Sequence, residues 1–177
     1  MTRAPLHDAV TAPSSWVRRF APHIPAAGHV LDVACGLGRH ARYLAGLGYR
    51  VDAVDRDADS LAALHRVTGV TTRAADIEQA PWPYPEQHFA GIIVTNYLHK
   101  PLLPQLVASV APGGVLIYET FALGNERYGR PTNPAFLLAP GELLDIVRGH
   151  LRVVAYENLE VAEPRPAVVQ RICALRA

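Results

Sequence analysis

The sequence predicts an α/β fold: a doubly wound, mostly parallel seven-stranded sheet with helices on both faces and a C-terminal antiparallel hairpin. Short apolar runs alternate with segments of helical periodicity along most of the chain. Several of these runs are apolar at nearly every position, as in strands of a parallel sheet covered on both sides. The last two runs, 151–161 and 167–174, are joined only by Ala162-Glu163-Pro164-Arg165-Pro166. That link is too short for a helical crossover, so one of the two strands must run antiparallel.

Taken in order, Ser14 to Phe20 reads as a capped amphipathic helix in which Trp16 and Phe20 face a core. Residues 29–34 form a buried strand, and 39–47 a helix with Ala41, Leu44 and Leu47 on one face, stopped by Gly48. A second strand over 50–55 leads to a helix over 57–67 that Asp57 caps. Strands follow at 70–75 and 89–95, then a helix over 101–110 with proline in its first turn. Gly113-Gly114 turns the chain into a strand over 115–120, and 141–147 is the last helix. Right-handed connections then lead to the doubly wound topology. Nothing divides the chain, so residues 1–177 are expected to form one domain, with an N-terminal helical segment at 1–28 and a candidate substrate lid at 122–140.

Half of the residues are hydrophobic and 17 basic residues nearly balance 16 acidic ones. Such a chain can build a core, and its net charge of +1 leaves no electrostatic footprint for nucleic acid or a membrane surface. No apolar run reaches the roughly 20 residues that span a bilayer. The first residues, with Arg3, His7 and Asp8 and no apolar block behind them, do not read as a secretory signal. Two cysteines make no disulfide framework, so a cytoplasmic home is expected. The eight histidines are scattered without metal-ligand spacing, and no metal is expected.

The segment Asp32-Val33-Ala34-Cys35-Gly36-Leu37-Gly38 runs from a strand through a glycine turn into a helix. Such a turn lets a ligand lie against backbone, and the helix start offers free N–H groups. Ligands of open sheets sit at the carboxyl ends of the strands. Asp55 ends the second strand, where it can accept two ribose hydroxyls, and Asp76-Ile77 ends the third, where an acid can accept an adenine amino group. Singly, each has a plainer role: a tight turn for Gly36 and Gly38, a helix cap for Asp55, a solvated acid for Asp76, packing for Cys35. Jointly they mark a nucleoside site. The stretch from Gly36 to Ala41 also fits the loose dinucleotide pattern G-x-G-x-x-A. Against a nicotinamide cofactor stand Asp32, whose charge would repel a pyrophosphate but favour a sulfonium, and the terminal hairpin.

These residues resemble the glycine-rich motif of class I S-adenosylmethionine-dependent methyltransferases, with Ala34 where many members have glycine. Asp55, Asp76 and Pro112-Gly113-Gly114 resemble the later motifs of that Rossmann-like family, from about Trp16 to the C-terminus. Tyr118-Glu119-Thr120-Phe121 and Gly129-Arg130-Pro131-Thr132-Asn133-Pro134 resemble its tellurite-resistance-type branch. The resemblance implies S-adenosylmethionine as cofactor and S-adenosylhomocysteine as product. Cofactor contacts are expected from Asp32, Ala34, Cys35, Gly36, Gly38, Asp55, Arg56, Asp76, Ile77, Asn96 and Tyr97.

The expected reaction is in-line transfer of a methyl group to a small-molecule acceptor, driven largely by alignment. Tyr97 and His99 are candidate base or orienting groups, or else a packed aromatic and a helix-entry histidine. Glu119, Arg127, Tyr128 and Arg130 are expected to face the acceptor, the last three from a loop that could equally be a solvated surface loop. The arginines hint at an anionic acceptor. Asn96-Tyr97-Leu98-His99 lacks the Pro-Pro-aromatic sequence of methyltransferases that act on base or glutamine amino groups. A nicotinamide-dependent oxidoreductase and a non-catalytic S-adenosylmethionine-binding protein remain as alternatives.

Overall fold

The computed structural model describes residues 12–177. The expectation that the first residues carry no secretory signal lies outside that range. The strands are β1 (His29–Val33), β2 (Arg50–Asp55), β3 (Val70–Ala74), β4 (Phe89–Thr95), β5 (Val110–Phe121), β6 (Arg152–Val161) and β7 (Ala167–Leu175). They form one sheet in the order β3-β2-β1-β4-β5-β7-β6. The first five run parallel, and β7 pairs antiparallel with both β5 and β6. The strand order reverses between β1 and β4, where a crevice opens at the carboxyl ends.

The helices are α1 (Ser15–Phe20), α2 (Arg39–Gly46), α3 (Ala58–Ala62), α4 (Leu103–Ala108) and α5 (Glu142–Val147). They cover two separate cores. On one face Trp16, Phe20, Leu44, Leu61 and Leu64 pack on Val30, Val51, Ile93 and Ile117. On the other, Leu106, Leu143, Val147 and Tyr84 pack on Leu31, Val33, Ile92, Leu116 and Tyr118. Neighbouring residues such as Leu116 and Ile117 thus serve opposite cores, as the two-residue period of a strand requires. Among the described residues no helix is long and apolar enough to cross a membrane.

Two helices are shorter than their periodicity suggests. After Ala62 the chain tightens into three-residue bonds, Leu64 N–H to Leu61 C=O and Val67 N–H to Leu64 C=O, so α3 ends early. The helix expected over 101–110 opens as a 3-10 turn, Lys100–Leu102, and ends at Ala108 because Val110 already pairs with Phe89 as the start of β5. Strand β5 is correspondingly longer than expected, and its register shifts between Phe89 and Gly91 of β4. A side chain on Gly114 would meet the carbonyl oxygens of Ala111, Phe89 and Ala90 within 3.0 Å, so this crossing requires glycine.

Candidate active site

Where β1 ends, Ala34, Gly36 and Gly38 all take positive φ, at +51°, +53° and +74°. This left-handed backbone suits glycine and costs an alanine on the order of 1 kcal/mol, so the turn is held in place by its surroundings. Two carboxylates do the holding. Asp55 accepts from Gly36 N–H at 2.8 Å and Asp57 N–H at 2.9 Å, tying the glycine turn to the end of β2. From beneath, Asp32 accepts from Ala41 N–H at 2.9 Å in the first turn of α2. Gly38 itself precedes α2 and packs against Leu64.

Two hollows adjoin at the carboxyl edge. The first, of about 240 Å³, is lined by Ala34, Asp55, Arg56, Ala75, Asp76, Ile77, Glu78 and Tyr97. Asp76 turns the chain there: its Oδ1 accepts from Glu78 N–H at 3.0 Å and Gln79 N–H at 3.2 Å. The second, of about 230 Å³, lies beyond Tyr97 and is lined by Glu78, Asn96, Tyr97, Leu98, Thr120, Phe121, Pro131 and Phe136. Glu78 and Tyr97 belong to both. Together the hollows fall within the roughly 300–1,000 Å³ of small-molecule sites. The Tyr97 hydroxyl is buried and, among the described residues, has no hydrogen-bond partner. Burial and the Glu78 carboxylate push its phenol above its ordinary range, so it stays protonated. Asn96, at φ +55°, carries the chain from β4 into this wall.

Of the residues expected to touch cofactor, Ala34, Asp55, Arg56, Asp76, Ile77 and Tyr97 share the first hollow, and Asn96 lines the second. Asp32 does not join Asp55 and Asp76 there. It is 1% exposed and points under α2, and burial raises its carboxyl to about 7. Its part is to fix the turn, and of the three strand-end acids two, Asp55 and Asp76, line the hollow. Cys35 is buried too, and burial with the nearby Asp32 and Asp55 keeps it a thiol, which fits packing.

The acceptor-side expectations need larger corrections. Glu119 lies one residue before Thr120, and strand alternation turns it to the α1 face. There it accepts from Ser14 Oγ at 2.6 Å and pairs with Arg171 at 3.0 Å, so both of its oxygens are engaged. Arg127 and Tyr128 are held by Glu160 of β6, the latter at 2.8 Å, and line neither hollow. Arg130 is exposed and lines neither. Nor does His99, whose carbonyl caps the turn leading to α4. From that connection the residues that reach the second hollow are Pro131 and Phe136. The base of the loop is closed by Leu123 N–H to Leu138 C=O and Leu138 N–H to Phe121 C=O.

Sequence reasoning missed Glu78, Ala75, Thr120, Phe121, Pro131 and Phe136 as individual lining residues. For Glu78 a signal was available, since an aspartate that ends a strand favours a turn onto its own following N–H groups. A polar latch was missed as well. His40 is 2% exposed and accepts from Ser14 N–H at Nε2 (3.1 Å), which leaves Nδ1 to donate to Thr95 Oγ1 (3.3 Å). Burial and the neighbouring Arg39 push this imidazole down to about 3. With the Ser14–Glu119 bond, it ties the start of α1 to the ends of β4 and β5.

Comparison with known proteins accords with this geometry. Residues 30–114 match the family described as "Methyltransferase domain". A Protein-L-isoaspartate O-methyltransferase of Chlorobaculum tepidum is 38% identical over 57% of this chain and 48% of its own length. A Trans-aconitate 2-methyltransferase of Paracidovorax citrulli is 34% identical over 52% of this chain and 38% of its own. The matched part thus spans about half or less of either relative. TehB from Haemophilus influenzae superposes with a TM-score of 0.72 at 21% identity, covering 92% of this chain and 61% of that one. A TehB-like protein from Corynebacterium glutamicum gives 0.66 at 16% identity, covering 92% and 87%. The glycopeptide N-methyltransferase MtfA, complexed with S-adenosylhomocysteine, gives 0.63 at 19%, covering 91% and 88%. At these identities the superpositions speak to the fold alone. Residues 30–114 thus match a methyltransferase-domain family, and the chain shares its overall fold with solved methyltransferase structures.

Proposed function

We propose that the protein is a cytoplasmic enzyme that transfers the methyl group of S-adenosylmethionine to a small-molecule acceptor. The observation that carries this reading is the pairing of the two hollows. Asp55 and Asp76 line one, the acids of successive parallel strands, and a second hollow of similar size opens beyond Tyr97. Each residue present suits an adenosyl group. Asp55 keeps lone pairs for ribose hydroxyls beside the two N–H groups it already holds, Asp76 leaves Oδ2 free for an amino group, and Ile77 offers an apolar edge. When bound, S-adenosylmethionine would supply an electrophilic methyl on a sulfonium. The chain would contribute alignment across Tyr97, an effect that in favourable cases lowers a barrier by roughly 7–11 kcal/mol.

Calorimetric titration of the purified protein with S-adenosylmethionine and with NADH tests the reading. Binding of S-adenosylmethionine is expected, and Asp55→Ala should weaken it by about 1.5–3 kcal/mol, the worth of a charge-assisted hydrogen bond. Binding of NADH alone refutes the proposal, and undiminished affinity in Asp55→Ala reduces Asp55 to a brace for the glycine turn.

A further inference from the structure

The second hollow has a chemical character that the motifs do not reveal. Leu98, Phe121, Pro131 and Phe136 give it apolar walls, and among the described residues Glu78 is its one charged lining residue. Among the described residues no arginine, lysine or histidine lines it; Arg127, a cation expected there, is bound to Glu160 instead. A carboxylate, an oxyanion or a thiolate entering this hollow would meet the charge of Glu78, while the nearby cation, Arg56, lines the adjoining hollow and not this one. A hydroxyl acceptor would need a stronger base than a carboxylate of ordinary strength, and Tyr97 stays a neutral phenol, so Glu78 suits holding a cationic amine better than ionising an alcohol. The nucleophile that fits brings its own lone pair without becoming an anion.

Building on the function proposed above, we infer that the methyl acceptor is an amine carried on an apolar or aromatic body, recognised by the carboxylate of Glu78. The apolar part lies between Phe121 and Phe136 and the nitrogen turns toward Glu78. An amine that enters as an ammonium first gives one proton to water at the open mouth. The nitrogen lone pair then forms the N–C bond to the methyl carbon as the C–S bond breaks, and that bonding pair stays on sulfur as a neutral thioether. The nitrogen is now cationic and releases one N–H proton to water. Positive charge thus passes from sulfur to nitrogen, and Glu78, which lines both hollows, stands beside it before and after transfer. Glu78 acts here as a specificity-determining residue.

The test uses the full chain saturated with S-adenosylhomocysteine, titrated calorimetrically with 2-phenylethylamine, 2-phenylethanol and phenylacetate. The amine should bind at least about tenfold more tightly than the alcohol, as a charge-assisted contact implies, and the carboxylate most weakly. Glu78→Gln should abolish the preference for amine over alcohol, and retained alcohol binding in this variant shows that the hollow is still formed. Phenylacetate binding as tightly as the amine overturns the inference, as does an amine preference that survives Glu78→Gln or an absence of amine binding. If S-adenosylhomocysteine itself does not bind, the proposed function falls and the inference with it. Cofactor binding together with a wrong acceptor order refutes the inference alone.

Discussion

Replacing Gly38 by alanine sets two costs against each other at one atom, which makes its outcome specific. The residue sits at φ +74°, where a left-handed alanine costs about 1–2 kcal/mol. The added Cβ would also lie within 2.8 Å of three carbons of the Leu64 side chain. Leu64 is fully buried among Leu44, Leu61 and their neighbours, so it cannot swing clear without disturbing that core. Overpacking of this kind costs about 1–3 kcal/mol, and the sum predicts a loss of about 2–5 kcal/mol for Gly38→Ala. Trimming the neighbour separates the two costs. Leu64→Ala alone should lose about 2–5 kcal/mol by opening a cavity. In the double variant the clash is gone, so the total should fall short of the sum by about 1–3 kcal/mol. Urea unfolding followed by tryptophan fluorescence measures all three. Losses that add to within about 0.5 kcal/mol would refute the claim that Leu64 closes on this glycine.

Other consequences concern the groups beneath the site. Burial raises Asp32 to about 7, so the folded state holds this proton longer than the unfolded chain, and stability falls as pH rises from about 4 to 7. His40 is lowered to about 3, so stability falls as pH drops from about 6.5 toward 3. The two slopes oppose each other between about pH 4 and 6.5, each at most about 1.4 kcal/mol per pH unit. In chemical denaturation across this window, Asp32→Asn should gain stability with rising pH and His40→Gln should lose it. Parallel curves for both variants would show that neither group titrates this way. Ser14→Ala removes both the cap on Trp16 N–H and the bond to Glu119, and should cost about 1–3 kcal/mol in the same assay. No change would mean that the Ser14 hydroxyl adds nothing to the hold that Trp16, Phe20 and the His40 bond to Ser14 N–H already give.

Topology was legible in the sequence because apolar runs and short links report directly on strand burial and direction. The run at 89–95 was read at its true bounds, and the link at 162–166 gave the hairpin. That Asp55 and Asp76 share one hollow was also legible, since both are fixed by the strand ends that precede them. The acceptor side was not. Glu119 and Thr120 are neighbours in sequence but face opposite layers, and a strand known to be buried on both faces gives no hint which residue meets which layer. Arg127 and Tyr128 looked free because their partner, Glu160, lies 33 and 32 residues away on β6. Periodicity finds elements, whereas the partner of an exposed charge is set by how the elements are stacked.

The lone hydroxyl of Tyr97 carries a thermodynamic penalty that phenylalanine would not. A buried polar atom left without a partner costs about 1–3 kcal/mol, so Tyr97→Phe should raise the melting temperature while it impairs methyl transfer. Such a variant, sturdier but less active, would mark this oxygen as one whose use lies in the chemistry of the site and not in the stability of the fold.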